Sequence, residues 1–138
     1  MGLYLHIGIE GESEIEGADF GRYADFGAFR DFVSKNIEHG VPGSRFPVLM
    51  GHSDCDGEWS VEECRRLQDE LLQIGEAMFA MPAVVTGSDW QKDVVAALGI
   101  APGNALESFI DVSGVPVVVR LLQLTSVAIE HGYPIVFQ

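Results

Sequence analysis

Ser60-Val-Glu-Glu-Cys-Arg-Arg-Leu-Gln-Asp-Glu-Leu-Leu-Gln-Ile-Gly-Glu-Ala-Met-Phe-Ala80 is the longest stretch of the chain with a single periodicity. Val61, Cys64, Leu67, Leu71, Ile74 and Met78 recur every three or four residues, which places them on one stripe of a helix. Ser60 and Glu63 have the spacing of a capping box, in which the hydroxyl accepts one orphan N–H and the glutamate accepts another in return. Pro82 closes the helix, so the spacing predicts a helix over about 60–80. One apolar stripe on a helix this long needs a second layer to cover it.

Working outward, Leu3, Leu5, Ile7 and Ile9 alternate with Tyr4, His6 and Gly8, and this period of two predicts a strand over 2–9. The carboxyl end, Tyr133-Pro-Ile-Val-Phe-Gln138, reads as a strand that pairs with the first. Residues 10–24 look like an acidic, turn-rich loop with a second short strand near Ile15. Phe26, Phe29, Phe32/Val33 and Ile37 give a helical stripe with Asp25 as its N-cap and Gly40 as its stop. Phe46–Met50 reads as a further strand. Ser88 caps a helix that ends at Leu98 before Gly99, and Val115–His131 reads as a helix stopped by Gly132 with Val118, Leu121, Leu122, Leu124 and Ala128 inward. Residues 105–112 fit either a short helix or a strand. The expected architecture is α+β: a single compact domain over residues 1–138, with a small sheet of about three to four short strands packed with about four helices.

The chain has 138 residues, enough for one domain and too few for two, and 47% of them are hydrophobic, which excludes intrinsic disorder. Eight basic residues face 21 acidic ones, a net charge of −13. That balance argues against binding nucleic acid or an anionic membrane, both of which need clustered Lys and Arg. It suits a basic protein or a metal cation. Only Glu107, Asp111 and Glu130 of the acids lie beyond residue 93, so the acidic face belongs to the first two-thirds of the chain. Two cysteines make no disulfide framework, the first nine residues lack the basic start of a signal peptide, and no apolar run reaches the roughly 18–20 residues of a membrane span. The expectation is a cytoplasmic protein with reduced thiols.

The stretch with the most chemistry is His52-Ser-Asp-Cys-Asp-Gly-Glu-Trp-Ser-Val-Glu-Glu63. Laid on a twelve-residue calcium loop, His52, Asp54 and Asp56 take the first, third and fifth positions, and Gly57 takes the sixth, where the chain must turn. Glu58 then offers its carbonyl, Ser60 a hydroxyl or water contact, and Glu63 a bidentate carboxylate. Against this, His52 is a nitrogen donor, and a strand rather than a helix precedes the loop. The same residues also read as an Asp56-Gly57 turn leading into a capped helix, with no metal at all. A zinc site is disfavoured, because eight residues separate Cys55 from Cys64 and Cys64 falls on the apolar stripe of its helix. A small hydrolase built on Cys55 or His52 is the last alternative; an acidic neighbourhood pushes a thiol away from nucleophilic reactivity. No Gly-x-Ser-x-Gly, phosphate loop or His-Glu-x-x-His is present.

Glu10, Glu12, Glu14 and Glu16 alternate along a glycine-containing segment, either as a solvated face or as a patch that attracts a basic partner. Trp59, between Glu58 and Ser60, reads as an exposed interface anchor or as the core-facing eighth residue of a loop. Trp90 reads as a core or staple residue.

The block His52–Glu63, together with Ser88-Asp-Trp-Gln91, Glu107-Ser-Phe-Ile-Asp-Val-Ser-Gly114 and the terminal Pro134-Ile-Val-Phe-Gln138, resembles the immunity protein 70 family of bacterial polymorphic-toxin systems. The resemblance runs from the Gly2–Ile7 strand to the last residue, and the His52–Ser60 block is its most specific part. It implies a cytosolic antidote, not an enzyme, that binds and blocks a cognate toxin encoded beside it. An acidic inhibitor suits a basic toxin such as a nuclease. The contacts expected are Asp54, Asp56, Glu58 and Trp59, with Glu12, Glu14, Glu16 and Asp19 as a second patch. No cofactor is expected; the alternative is Ca²⁺ at His52, Asp54, Asp56, Glu58, Ser60 and Glu63.

Overall fold

The first strand, β1 (Gly2–Gly8), sets the frame: Leu3, Leu5 and Ile7 are fully buried while Tyr4, His6 and Gly8 on the other side stay half-exposed. A strand with one dry face and one wet face belongs to a sheet covered by helices on one side only. The computed structural model describes residues 2–8, 13–85 and 88–138. Among them, β1 joins β2 (Glu14–Arg22), β3 (Glu58–Trp59) and β4 (Ile135–Phe137) in one antiparallel sheet of order β2-β1-β4-β3. The helices are α1 (Tyr23–Asn36), α2 (Pro47–Met50), α3 (Val61–Phe79), α4 (Asp89–Leu98), α5 (Ala105–Ser108) and α6 (Val117–His131). The α6 helix lies across β1, β2 and β4, α3 packs on α6, and α1 packs on β2. Between these layers Leu67, Leu71, Ile74 and Met78 of α3 meet Leu121, Leu124 and Ala128 of α6, all fully buried. The α+β architecture and the pairing of the terminal strand with the first are as the sequence predicts.

Several expectations are corrected. In the described part of 10–24 the strand near Ile15 is not short: β2 has nine residues, Glu14–Arg22. Its two buried inward positions, Ala18 and Phe20, are too few for an alternation to register. Register shifts opposite Gly2/Tyr4 and Ile7/Gly8 also break the period of two. Ile9, Glu10 and Glu12 lie outside the described residues. Next, Phe46–Met50 is not a strand but the single helical turn α2, with Pro47 at its first position. Finally, α1 starts at Tyr23, so Asp25 sits inside its first turn, where Oδ2 accepts the Arg22 N–H at 3.1 Å. The helix ends at Asn36, and the chain reverses through positive φ at His39 (57°) and Gly40 (83°). Ser88 precedes α4 as expected, but its hydroxyl bonds to Asp25 instead of capping the helix. The ambiguous 105–112 stretch divides into the turn α5 and an isolated bridge between Ile110 and Pro116.

Two buried carboxylates explain the helical turn. Glu38, 2% exposed, accepts the backbone N–H groups of Gly43 (3.2 Å), Arg45 (2.9 Å) and Phe46 (2.9 Å). Glu70, on α3, accepts those of Val48 (3.1 Å) and Leu49 (3.0 Å). The orphan donors at the start of α2 are thus satisfied by side chains from two distant elements. Carboxylates at a helix N-terminus also meet the positive end of its dipole.

Burial raises the pKa of Glu70, against the two backbone bonds that hold it down. The folded protein therefore binds the Glu70 proton more tightly than the unfolded chain. This contribution to stability is full below the ordinary glutamate value and is lost as pH rises through the folded one. Glu70→Ala orphans two N–H groups and should cost about 1–3 kcal/mol for each. Glu70→Gln keeps an acceptor and removes the titration. In urea denaturation between pH 4 and 8, wild type should lose stability relative to Glu70→Gln as pH rises; a constant difference would refute the assignment.

Candidate functional site

The distinctive block 52–63 is folded by its own polar groups. The His52 ring stacks on Phe137 at 4.0 Å between centroids and leans on Trp59 at 5.2 Å. Its Nδ1 lies 2.7 Å from the Ser53 carbonyl oxygen and its Nε2 2.9 Å from that of Glu58. The ring thus spans the turn that Asp56 and Gly57 (φ 84°) make beneath it. Ser60 and Glu63 form the capping box: the Glu63 N–H donates to Ser60 Oγ and the Ser60 N–H to Glu63 Oε1, both at 3.1 Å. Three of the groups expected as calcium ligands, the Glu58 carbonyl, the Ser60 hydroxyl and a Glu63 carboxylate oxygen, each take part in a hydrogen bond that holds the turn or starts α3. Among the described residues, no three His, Cys, Asp or Glu side chains are grouped to hold a metal ion.

Trp59 is fully buried, and its Nε1 donates to the Val48 carbonyl at 3.2 Å. This corrects its reading as an exposed anchor: the inward side of β3 faces the core, and Trp59 packs edge-on against Phe137. Arg30 of α1 ties the loop from the helix side, donating to the carbonyls of Leu49 (3.1 Å) and His52 (2.8 Å). Asp54 is half-buried, and its charge favours the protonated form of Arg30, opposing the desolvation that lowers the guanidinium pKa. Cys64 is buried, which pushes its thiol up to about 11. Cys55 is exposed with Sγ 3.5 Å from Ser53 Oγ, and His52 turns both ring nitrogens to carbonyls.

The sheet brings the rest of the expected residues together. Gly17, His6, Val136 and Glu58 lie side by side across β2, β1, β4 and β3 on the face that no helix covers. Asp19 pairs with Tyr4 on the same face, and Glu14 reaches it through a bond from the Tyr4 hydroxyl to Oε2 at 2.6 Å. To make that bond the Tyr4 ring crosses Gly17, where any Cβ would collide with the hydroxyl. The Tyr4 and His6 rings stack at 6.1 Å. Exposed carboxylates of Glu14 and Asp19 on one edge strand and of Glu58 on the other thus flank a centre of Tyr4, His6 and Val136, with exposed Asp56 in the turn that leads into β3. The two edges stand three strand spacings apart, about 14 Å. Glu16 instead pairs with Ile7 and turns to the helix side. Sequence reasoning passes over Tyr4 and His6 as site residues, although their place in the β1 alternation already puts them on the outward face.

A second concave feature lies between α1 and Val84, Val85, Ser88 and Gln91. It is a groove of about 620 Å³ floored by Ala28, Phe32, Val84, Val85 and Phe109. At its mouth Asp25 accepts the Trp90 indole N–H at 2.7 Å. Trp90, read from the sequence as a core or staple residue, is half-buried against Gly21.

A protein-family model described as Immunity protein 70 matches residues 11–137, nearly the whole chain. Comparison with curated proteins and with solved structures gives no match.

The Tyr4 phenol is held at about 12, chiefly by its bond to Glu14, with burial and the charges of Glu14, Asp19 and Glu16 adding to it. Glu14→Gln should therefore move one tyrosine transition of an ultraviolet titration down toward the ordinary value of about 10. An unchanged titration would show that Tyr4 and Glu14 do not pair in solution.

Proposed function

The chain belongs to the immunity protein 70 family, and from that premise we propose that it neutralises a cognate toxin by laying the open face of its sheet on a basic surface of that toxin. One observation carries the reading. Two acidic segments some forty residues apart in the sequence, around Glu14–Asp19 and Asp56–Glu58, share one uncovered face with an aromatic centre between them. Tyrosine at the middle of a patch and charge at its rim is the anatomy of a protein interface. A net charge of −13 selects against acidic partners and accelerates encounter with basic ones.

A toxin that acts on nucleic acid must carry a basic surface to hold phosphates. An acidic plate seated there excludes the substrate without chemistry of its own, so the protein works as a stoichiometric inhibitor and not as an enzyme. Its place of action is the cytoplasm of the cell that carries the toxin gene. The contacts are Glu14, Asp19, Asp56 and Glu58, with Tyr4 and His6 as anchors. Asp54, Ser60 and Glu63 support the fold around them, and Glu16 turns to the helix side.

Co-expression with the toxin domain encoded next to this gene should restore growth, and the two purified proteins should form a complex. Asp19→Lys with Glu58→Lys should slow association by about tenfold at low salt and flatten its salt dependence, because both act on steering. Tyr4→Ala should act on the dissociation rate instead. Association unaffected by charge reversal at both edges would overturn this choice of face.

A further inference from the structure

The edge of the sheet at β2 has a row of backbone groups that face away from β1. Tyr4 exchanges both of its backbone bonds with Gln138, donating at 3.3 Å and accepting at 2.9 Å, so its N–H and C=O point to the β4 side. Across β2, Tyr4–Asp19 and His6–Gly17 are therefore the non-hydrogen-bonded pairs, and the backbone groups of Asp19 and Gly17 point outward. The Asp19 carbonyl is taken by the Val112 N–H at 3.0 Å, which covers the upper part of the edge. At Gly17 the N–H has, among the described residues, only the carboxylate of its neighbour Glu16, at 3.3 Å. Below this edge, Glu16 and the α6 residues Val119, Leu122, Gln123, Ser126 and Val127 line an open groove of about 580 Å³. An uncovered strand edge above a half-apolar trough is what an added strand needs: a ladder to join and a surface for its alternate side chains.

We propose that an extended, lysine- or arginine-bearing segment of the toxin adds to β2 at Gly17 as a fifth strand, with its inward side chains over Val119, Leu122 and Val127. This rests on the toxin-binding reading above and extends the same interface around the edge of the sheet. The charges decide the occupant. A second copy pairing β2 with β2 would crowd the Glu14, Glu16 and Asp19 carboxylates of both strands onto one edge, and like charges close together on a ladder are destabilising. A strand with basic residues on its outer face meets Glu14 and Asp19 as counter-charges. Alternation supplies the rest, with apolar residues in the groove and basic residues beside the acidic face.

The test uses the full isotope-labelled chain and a blocked nine-residue peptide of alternating Lys and Val, with a version N-methylated at alternate amides as control. The expected result is at least tenfold slower amide exchange at Gly17, together with methyl shifts at Val119, Leu122 and Val127. The N-methylated peptide should lose most of this effect, and Gln123→Lys at the groove should weaken binding several-fold while leaving the fold unchanged. Shifts confined to Tyr4 and His6 would overturn strand addition and leave the toxin-binding face standing. No effect from the peptide overturns it as well. Protection of Gly17 that grows with the concentration of the chain alone would assign the edge to a second copy and also refute the proposal.

Discussion

The N–H groups of Gly43, Arg45, Phe46, Val48 and Leu49 all end on two buried carboxylates, Glu38 after α1 and Glu70 within α3, and the placement of the site depends on that arrangement. Left unpaired, the buried N–H groups of Phe46 and Leu49 would each cost about 1–3 kcal/mol, so the two carboxyl groups favour the reversal of the chain at this place. Once α2 is fixed, its carbonyls become anchors in turn. Val48 receives the Trp59 indole, and Leu49 receives Arg30, which also holds the carbonyl of His52. Two buried carboxyl groups thereby hold the turn that delivers Glu58 to the edge of the sheet.

A sheet covered on one side has a consequence for function. The helices α1, α3 and α6 take one face, and β1 divides its residues accordingly, aliphatic toward the helices and Tyr4 and His6 away from them. The uncovered face then collects outward residues from four strands that are remote in the chain. Its acids come from both edges, and its centre comes from β1 and β4. The same one-sidedness explains why Trp59 and Glu58, adjacent in sequence, have opposite fates: one closes the core and the other faces water.

Much of this architecture is legible in the amino-acid pattern. The capping box at Ser60 and Glu63 forms with both of its bonds, and the α3 stripe from Cys64 to Met78 is buried throughout. The alternation of β1 and the strand at the carboxyl end likewise match the fold. The calcium-loop spacing of 52–63 and the turn-and-cap spacing coincide, because both need a tight turn followed by a helix start with a glutamate in its first turn. The pattern alone does not separate them. In the fold, His52 lies across the turn and the Ser60–Glu63 pair caps α3.

The sequence by itself determined what neighbours in the chain decide together: periodicity, caps, stops, the α+β class and an acidity confined to the first two-thirds. Only the tertiary structure decided the length of β2, the helical form of Pro47–Met50, the burial of Trp59 and the union of two acidic segments on one face. The division has a physical cause. A helix satisfies its hydrogen bonds within a few residues, so its signal is local. The β2 strand owes its bonds to β1, and α2 owes its capping bonds to Glu38 and Glu70, so neither carries the instruction within its own residues.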